Sequence, residues 1–343
     1  MGLSWGIVGI GAHADQFMAP GILKAPGNTI AAVCSRDAGR GAAFAAKHGA
    51  KRSYTDYAEL VRDPSVQAVY IASPNFLHAD HTVTAAAAGK HVLCDKPLAM
   101  TLEDCSRMIH ACDRAKVTLA TGFHMRTHPA HHQMRRLVAE GGMGKIVAVD
   151  AMWSIGTRGM TDMPPRTGLR DWWNHPEQSG GGAMYGSGIH TLDILRFIMN
   201  DEVSQVFAFT DAHPPEQPLD LMTTAMLRFR SGVQATMKTS RIMPDPRNGI
   251  TVYGVQQRIA CTDTFSVFIQ GDLAIKDADG ERIQHIPPGD PFKLQVEAFA
   301  HAVEHKSSPP ATGLDGYRAC EISLAIFESA RTGKMITLQN RAP

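Results

Sequence analysis

The chain reads as an α/β protein in two parts, a doubly wound parallel sheet followed by an α+β part built on a mostly antiparallel sheet. Three observations predict this. The 343 residues suffice for about two domains of roughly 150 residues each. Up to about residue 122, short apolar runs alternate with helical stretches, the pattern of parallel strands covered on both faces. Beyond it, strand-like runs follow one another without helices between them, which favours antiparallel pairing. The boundary rests on this change of pattern alone and gives parts 1–122 and 123–343.

Taken in order, Leu3–Gly9 is an apolar run closed by glycine, and a helix is expected over Asp15–Lys24. Further strands are expected at Thr29–Cys34, Val66–Ala72, His91–Cys94 and Val117–Gly122. Helices are expected at Arg40–His48, Asp56–Val61, His78–Ala88 and Thr101–Ala115. In the second part a helix over Ala130–Glu140 precedes strands at Lys145–Met152, Val203–Thr210, Thr223–Phe229, Val233–Ser240, Gly249–Tyr253 and Phe265–Ile269. Helices near Thr191–Met199, Phe292–His305 and Asp315–Thr332 would pack on them.

Composition narrows the class. Hydrophobic residues make up 44% and charged residues 20%, as in folded globular chains. The formal charge of +1 argues against nucleic acid as the main partner. No apolar run approaches the ~20 residues that span a bilayer, and the first residues lack the basic start of a signal peptide. The six cysteines form no Cys-x-x-Cys pair and read as reduced, mostly buried thiols. A cytoplasmic protein without nucleic-acid or membrane partners is expected.

Gly9-Ile10-Gly11-Ala12-His13-Ala14 follows the first strand and opens a helix, in the pattern G-x-G-x-x-A. Gly9 permits the tight turn, Gly11 lets a pyrophosphate approach the backbone, and Ala14 lets the helix pack close to the strand. The helix N-terminus adds N–H donors and positive potential. The second strand ends Cys34-Ser35-Arg36-Asp37. A hydroxyl and a guanidinium suit a ribose 2′-phosphate better than a carboxylate would, with Arg40 one helical turn further on. NADP is therefore expected over NAD, which stays possible if Arg36 is solvated and Asp37 takes the ribose.

Ser73-Pro74-Asn75-Phe76-Leu77-His78 follows the third predicted strand, Asp95-Lys96-Pro97 a later one, and Gly180-Gly181-Gly182 precedes His190 and Asp193. Together with the tail around Phe292–Phe299 and Gly313–Gly316, these resemble the Gfo/Idh/MocA family of glucose–fructose oxidoreductase and inositol dehydrogenase. The resemblance spans nearly the whole chain. It implies an N-terminal Rossmann domain and a C-terminal α+β domain on a large open sheet that relatives use to form homodimers or homotetramers.

The resemblance implies that Lys96 lies beside the nicotinamide and the reacting carbinol, with Asp95 in the acidic position and Pro97 in a cis bond. An ammonium there can stabilise charge on the reacting oxygen and relay a proton. Ser73, Pro74 and Asn75 would line the cofactor. His78 either joins them or packs against its helix. His124 and Arg126 would face the cofactor or the site rim. His190 is the second catalytic candidate. Relatives carry an Asp four residues before it, where this chain has Gly186, so Tyr185 or a water would orient the imidazole. Asp193 is a further candidate for substrate contact.

Trp153, Trp172 and Trp173 lie in the region that reads substrate in relatives, near Met160, Met163, Pro164, Pro165 and Met184. They either stack on a sugar ring or aglycone or fill the core. Arg158, Arg166 and Arg170 add possible donors to hydroxyls or a carboxylate. His124, His128, His131 and His132 lack a matched ligand set, so no metal is expected. The expected activity is hydride transfer between NADP(H) and a carbinol or carbonyl of a small sugar-like molecule. The alternatives are a trans-dihydrodiol dehydrogenase, a redox-assisted glycoside-cleaving enzyme and a silent NADP-binding regulator.

Overall fold

A computed structural model of the chain describes residues 2–162 and 166–339. They form two compact units, the first comprising residues up to His124 together with Asp290–Tyr317, the second Met125–Gly289 and the chain from Arg318.

The first unit runs β1 (Ser4–Val8), α1 (Ala19–Lys24), β2 (Thr29–Cys34), α2 (Ala38–His48), β3 (Arg52–Tyr54), α3 (Tyr57–Arg62), β4 (Ala68–Ile71), α4 (His78–Ala87), β5 (His91–Cys94), α5 (Leu102–Ala115) and β6 (Leu119–Thr121). A π-helical turn, Ala14–Met18, leads into α1. The strands pair in parallel in the order β3-β2-β1-β4-β5-β6. The order reverses between β1 and β4, the topological switch point at which such sheets bind ligands. Local chemistry sets the helix starts: Asp37, Asp56 and Thr101 accept from the backbone N–H groups of Arg40, Ala58 and Asp104. Gly49 at φ 68° ends α2. Strand β3 has no apolar run to announce it, because it is a short edge strand with exposed side chains.

A single cut at 122 does not describe this unit. The chain returns to it after the second sheet, through the helix Pro291–His305. Phe299 on that helix packs its ring 5.2 Å from buried Trp5. Gly21 admits the helix, since a Cβ there would meet Phe292 Cβ at 2.9 Å. Asp290 caps the helix by accepting from the N–H groups of Phe292 and Lys293, and pairs with Lys24 at 2.8 Å.

The second unit contains α6 (Pro129–Ala139), β7 (Ile146–Ser154), α7 (Pro176–Ser179), α8 (Ile189–Met199), β8 (Val203–Thr210), β9 (Met222–Phe229), β10 (Gln234–Ser240), β11 (Gly249–Gly254), β12 (Arg258–Thr262), β13 (Asp272–Asp277), β14 (Gly280–His285) and β15 (Ile336–Thr337). These strands form one open sheet ordered β14-β13-β12-β11-β7-β10-β9-β8-β15. Every pair is antiparallel except β7 with β10. Alternation assigns its faces: Thr223, Ala225, Leu227 and Phe229 of β9 are buried, and α8 covers that side. The other face mixes Phe207, Phe209 and Met226 with Asp150, Thr236, Lys238 and Arg228.

Phe265–Ile269, expected as a strand, is irregular chain. Asp263 at φ 57° turns the backbone out of β12, and Gly271 at φ 96° turns it back into β13. Its two ends plug the core while Phe268 is exposed: Phe265 and Ile269 are buried, and Phe265 packs edge-on to His131 at 5.6 Å and to Trp153 at 6.4 Å. The sheet is extended instead by β12, β13 and the largely polar β14, joined to β13 by a two-residue turn. Among the described residues no helix is long and apolar enough to cross a membrane.

Candidate active site

In the first unit the chemistry gathers at the carboxyl ends of β1, β4 and β5. Gly9 sits at φ 88°, and a Cβ on it would lie 2.2 Å from Ala72 O at the end of β4. Only glycine fits that turn. Around Gly11, by contrast, a Cβ would meet nothing within 4 Å. Asp15 N donates to Gly11 O at 2.9 Å, so the helix starts directly behind this open space. An anion can reach its unpaired N–H groups there, which is the fit a dinucleotide pyrophosphate requires. Gly9→Ala is expected to weaken dinucleotide binding and to cost at least about 2 kcal/mol of stability from the strained backbone. Titration calorimetry and denaturant unfolding would show it, and a wild-type Kd would contradict the fit.

At the end of β2, Asp37 accepts from Arg40 N at 2.9 Å, so one of its carboxylate oxygens caps α2. Arg36 and Arg40 are exposed, and Ser35 is buried beneath them. Among the described residues neither arginine has an ion-pair partner within 4 Å.

Half-buried Lys96 follows β5, and its backbone N donates to Asp95 Oδ1 at 2.8 Å. The Lys96–Pro97 bond is cis. Tyr70 OH donates to Asp95 Oδ2 at 3.2 Å, and His13 Nε2 lies 3.8 Å from the same oxygen. Burial disfavours the Asp95 carboxylate, but the charges of His13, Lys96 and His78 outweigh it and hold its pKa below the usual range. Burial pushes the His13 ring down. His13, Phe17 and His124 converge on Phe292, with ring centroids 4.8–5.5 Å apart.

In the second unit His190 is buried on α8, its ring 5.3 Å from that of Trp153 on β7. The glycine triplet that precedes it is fastened by buried Asp220, which accepts from the N–H groups of Gly182 and Met184 at 2.7 Å each and from Thr223 Oγ1 at 2.9 Å. Burial raises the pKa of Asp220 against these bonds. A second π-helical turn, Met184–Gly188, leads into α8. A Cβ on Gly186 would come within 2.2 Å of an Arg241 guanidinium nitrogen. Half-buried Trp172 and Trp173 stack at 4.4 Å, and the Arg166 guanidinium lies 4.5 Å from the Trp173 ring centre.

Comparison with known proteins follows this division. Residues 3–123 match the family model described as an oxidoreductase family with an NAD-binding Rossmann fold, and residues 131–260 match the GFO/IDH/MocA C-terminal domain. The chain belongs to the GFO/IDH/MocA oxidoreductase family. It is 32% identical to a 1,5-anhydro-D-fructose reductase of Ensifer adhaerens, with 98% of each chain covered. It is 30% identical to a D-xylose 1-dehydrogenase (NADP(+)) of Haloferax volcanii, over 98% of this chain and all of that one. An aldose-aldose oxidoreductase of Caulobacter crescentus, crystallised with glycerol, shares the fold with a TM-score of 0.89 at 24% identity, covering 98% of this chain and all of that one.

As a GFO/IDH/MocA oxidoreductase the chain has an NAD(P)-binding Rossmann fold. Gly9, Gly11, Ala12, His13 and Ala14 form its first turn, and Asp95, followed by Lys96 and Pro97, lies beside His13. Other expected residues are placed differently. Both ring nitrogens of buried His78 lie on backbone carbonyls, Pro97 O at 2.8 Å and Ser73 O at 2.9 Å. His78 therefore brackets the loops after β4 and β5, and Ser73 Oγ bonds His81 at 2.9 Å. Asn75 is buried at the start of the turn before α4. Arg126 and Asp193 form a buried ion pair with each other, Nε to Oδ2 at 2.9 Å and Nη2 to Oδ1 at 2.7 Å, which places the Asp193 carboxylate on a protein cation rather than on substrate. Tyr185 lies beneath Gly181 with its ring 5.8 Å from Phe327, where it supports the glycine triplet.

Trp153 is core as well as a neighbour of His190. Arg158 pairs with Asp245 at 2.6 Å, and Met163, Pro164 and Pro165 lie outside the described residues. The four clustered histidines have separate tasks. His128 caps α6 and bonds Gln270 O, His131 bonds Met125 O and Thr264, His132 packs edge-on to Phe197, and His124 stacks on Phe292. Among the described residues no three His, Cys, Asp or Glu side chains are grouped to hold a metal. Sequence reasoning missed Tyr70, His81, Phe17, Asp220 and Arg241. None sits in a motif.

Proposed function

We propose that this oxidoreductase interconverts a carbinol and a carbonyl on a sugar or sugar derivative and prefers NADP(H) to NAD(H). A bound nicotinamide coenzyme would accept or donate hydride. Ser35 and Arg36 would hold the ribose 2′-phosphate with Arg40 behind them, Ser73, Pro74 and Asn75 would line the coenzyme, and His124 would flank it. Lys96 would donate to the reacting oxygen and stabilise the charge that develops on it. His190 would give or take the proton, and Trp153, Trp172 and Trp173 would offer faces to a ring.

The observation that carries the reading is Lys96 at the carboxyl end of β5, one strand from the switch point, anchored through a carboxylate that Tyr70 and His13 hold. The sugar class is supported by the activities in the names of the two full-length relatives. The NADP preference is supported by exposed Arg36 at the end of β2, beside Asp37, one of whose carboxylate oxygens caps α2. The apolar residues on the uncovered sheet face, Phe207, Phe209 and Met226, favour a second copy of the chain as their cover.

Single-turnover absorbance at the nicotinamide band tests the reaction. Net change with an aldose or keto sugar is expected. Glycoside cleavage without net change, or coenzyme binding without either, would refute it. Arg36→Ala is expected to raise the Kd for NADP by roughly 10–100-fold, the worth of one or two charge-assisted hydrogen bonds, and to change that for NAD less than about threefold. Equal losses for both coenzymes would remove the argument for preference.

A further inference from the structure

Beside His190 the helical run entering α8 lacks a side chain, and a base fills the space. Gly186 and His190 stand four residues apart on one face of the helical run entering α8. The space a side chain at 186 would fill is taken by the Arg241 guanidinium, at 2.2 Å from a Cβ built there. Arg241 reaches it from the end of β10 and is only 8% exposed. Among the described residues its guanidinium makes one hydrogen bond, to Gly182 O at a long 3.5 Å, and has no carboxylate within 4 Å. Asp220 attracts it from further off, but that carboxylate already accepts from Gly182 N, Met184 N and Thr223 Oγ1. A second guanidinium, Arg166, shares the Trp173 ring with it, at 4.5 Å against 6.0 Å for Arg241. Burial pushes Arg166 down to about 10, and the charges of Arg241 and Arg170 push it the same way. Two like charges, buried Arg241 and half-buried Arg166, thus share one ring with most of their N–H donors unclaimed, an arrangement that an anion stabilises.

We infer that Arg241, with Arg166, binds an oxyanion carried by the substrate, so that the preferred substrate is an acidic sugar derivative, a sugar carboxylate or phosphate ester. The inference rests on the function proposed above and deepens it. A neutral polyol would leave the Arg241 guanidinium buried with no carboxylate in contact, whereas a carboxylate accepts two parallel N–H bonds from its fork. Gly186 is the complement of this device, because any larger residue displaces the guanidinium.

The test compares D-glucose, D-glucuronate, D-gluconate and D-glucose 6-phosphate in steady-state turnover, with calorimetric titration of each acid into the coenzyme-saturated protein. Wild type is expected to favour an acidic sugar, and Arg241→Met to lower kcat/KM for it by about 10²-fold while moving D-glucose less than about threefold. Arg241→Lys keeps the charge without the fork and should fall between. Arg166→Met gives a second reading if Arg241→Met folds poorly. The double variant Gly186→Asp/Arg241→Ala should reverse the order in favour of the neutral sugar. The uronate and phosphate arms tell the two oxyanions apart. Neutral sugars preferred by wild type, or equal losses on acidic and neutral sugars in Arg241→Met, would overturn the inference and leave the oxidoreductase reading standing. If no sugar of either class is turned over, the proposed function fails instead. The titrations then decide: saturable uronate or phosphate binding abolished by Arg241→Met supports the oxyanion site, and its absence refutes it.

Discussion

Replacing Lys96 with glutamine is expected to lower kcat by about 10²–10⁴-fold while the coenzyme Kd moves less than about fivefold. Glutamine keeps reach and a hydrogen-bond donor but neither the charge nor the mobile proton. The backbone at 96 is held by Asp95 Oδ1, and Asp95 in turn by Tyr70 and His13, so the substitution should leave the loop in place. The loss should therefore fall on the chemical step and not on KM alone. Stopped-flow absorbance at the nicotinamide band, with calorimetry for the coenzyme, separates the two. A kcat within threefold of wild type would remove Lys96 from the mechanism.

The second large effect is on stability. Asp193→Ala is expected to destabilise the second unit by about 3–5 kcal/mol, because it leaves the buried Arg126 charge without its carboxylate. Both oxygens of Asp193 engage Arg126, and both side chains are almost wholly buried. The double variant Arg126→Met/Asp193→Leu removes both charges and should recover much of the loss, since the desolvation cost disappears with them. Urea unfolding of wild type, Arg126→Met, Asp193→Leu and the double variant completes the cycle. A single variant as stable as wild type would mean that the pair is solvated in the working protein. Asp193 also sits on α8 one turn beyond His190, so a loss of activity in Asp193→Ala is expected to be recovered in any double variant that restores stability.

The parts of the fold legible in the sequence are those where local and tertiary demands agree. Thr29–Cys34 and His91–Cys94 are buried parallel strands, and their continuous apolar runs mark their ends to the residue. Gly9 is legible because backbone sterics leave few alternatives there. Strands β3 and β14 were not, since exposed edges place no apolar demand on side chains. Phe265–Ile269 misled because buried loop and buried strand need the same residues. For the site, spacing identified which residues stand near the chemistry but not where their side chains point. Asp193 lies one turn from His190 as read, yet faces Arg126, and Tyr185 turns inward to Phe327. Arg241 was hidden for a different reason. Its partner in space, Gly186, is distant in sequence, and an absent side chain gives no sign of what fills its place.

The re-entry of residues 290–317 into the first unit has a bearing on how the protein is made. A ribosome releases the first sheet long before it has polymerised Phe299, the ring that covers Trp5. At roughly 5–20 residues per second, the intervening stretch takes on the order of ten seconds to emerge. During that wait the indole side of the nascent sheet stays uncovered, a vulnerable interval that chaperones or rapid translation of the later codons would shorten. A stop codon anywhere before position 290 thus spoils more than the tail, because it strands the coenzyme-binding half in an unfinished state.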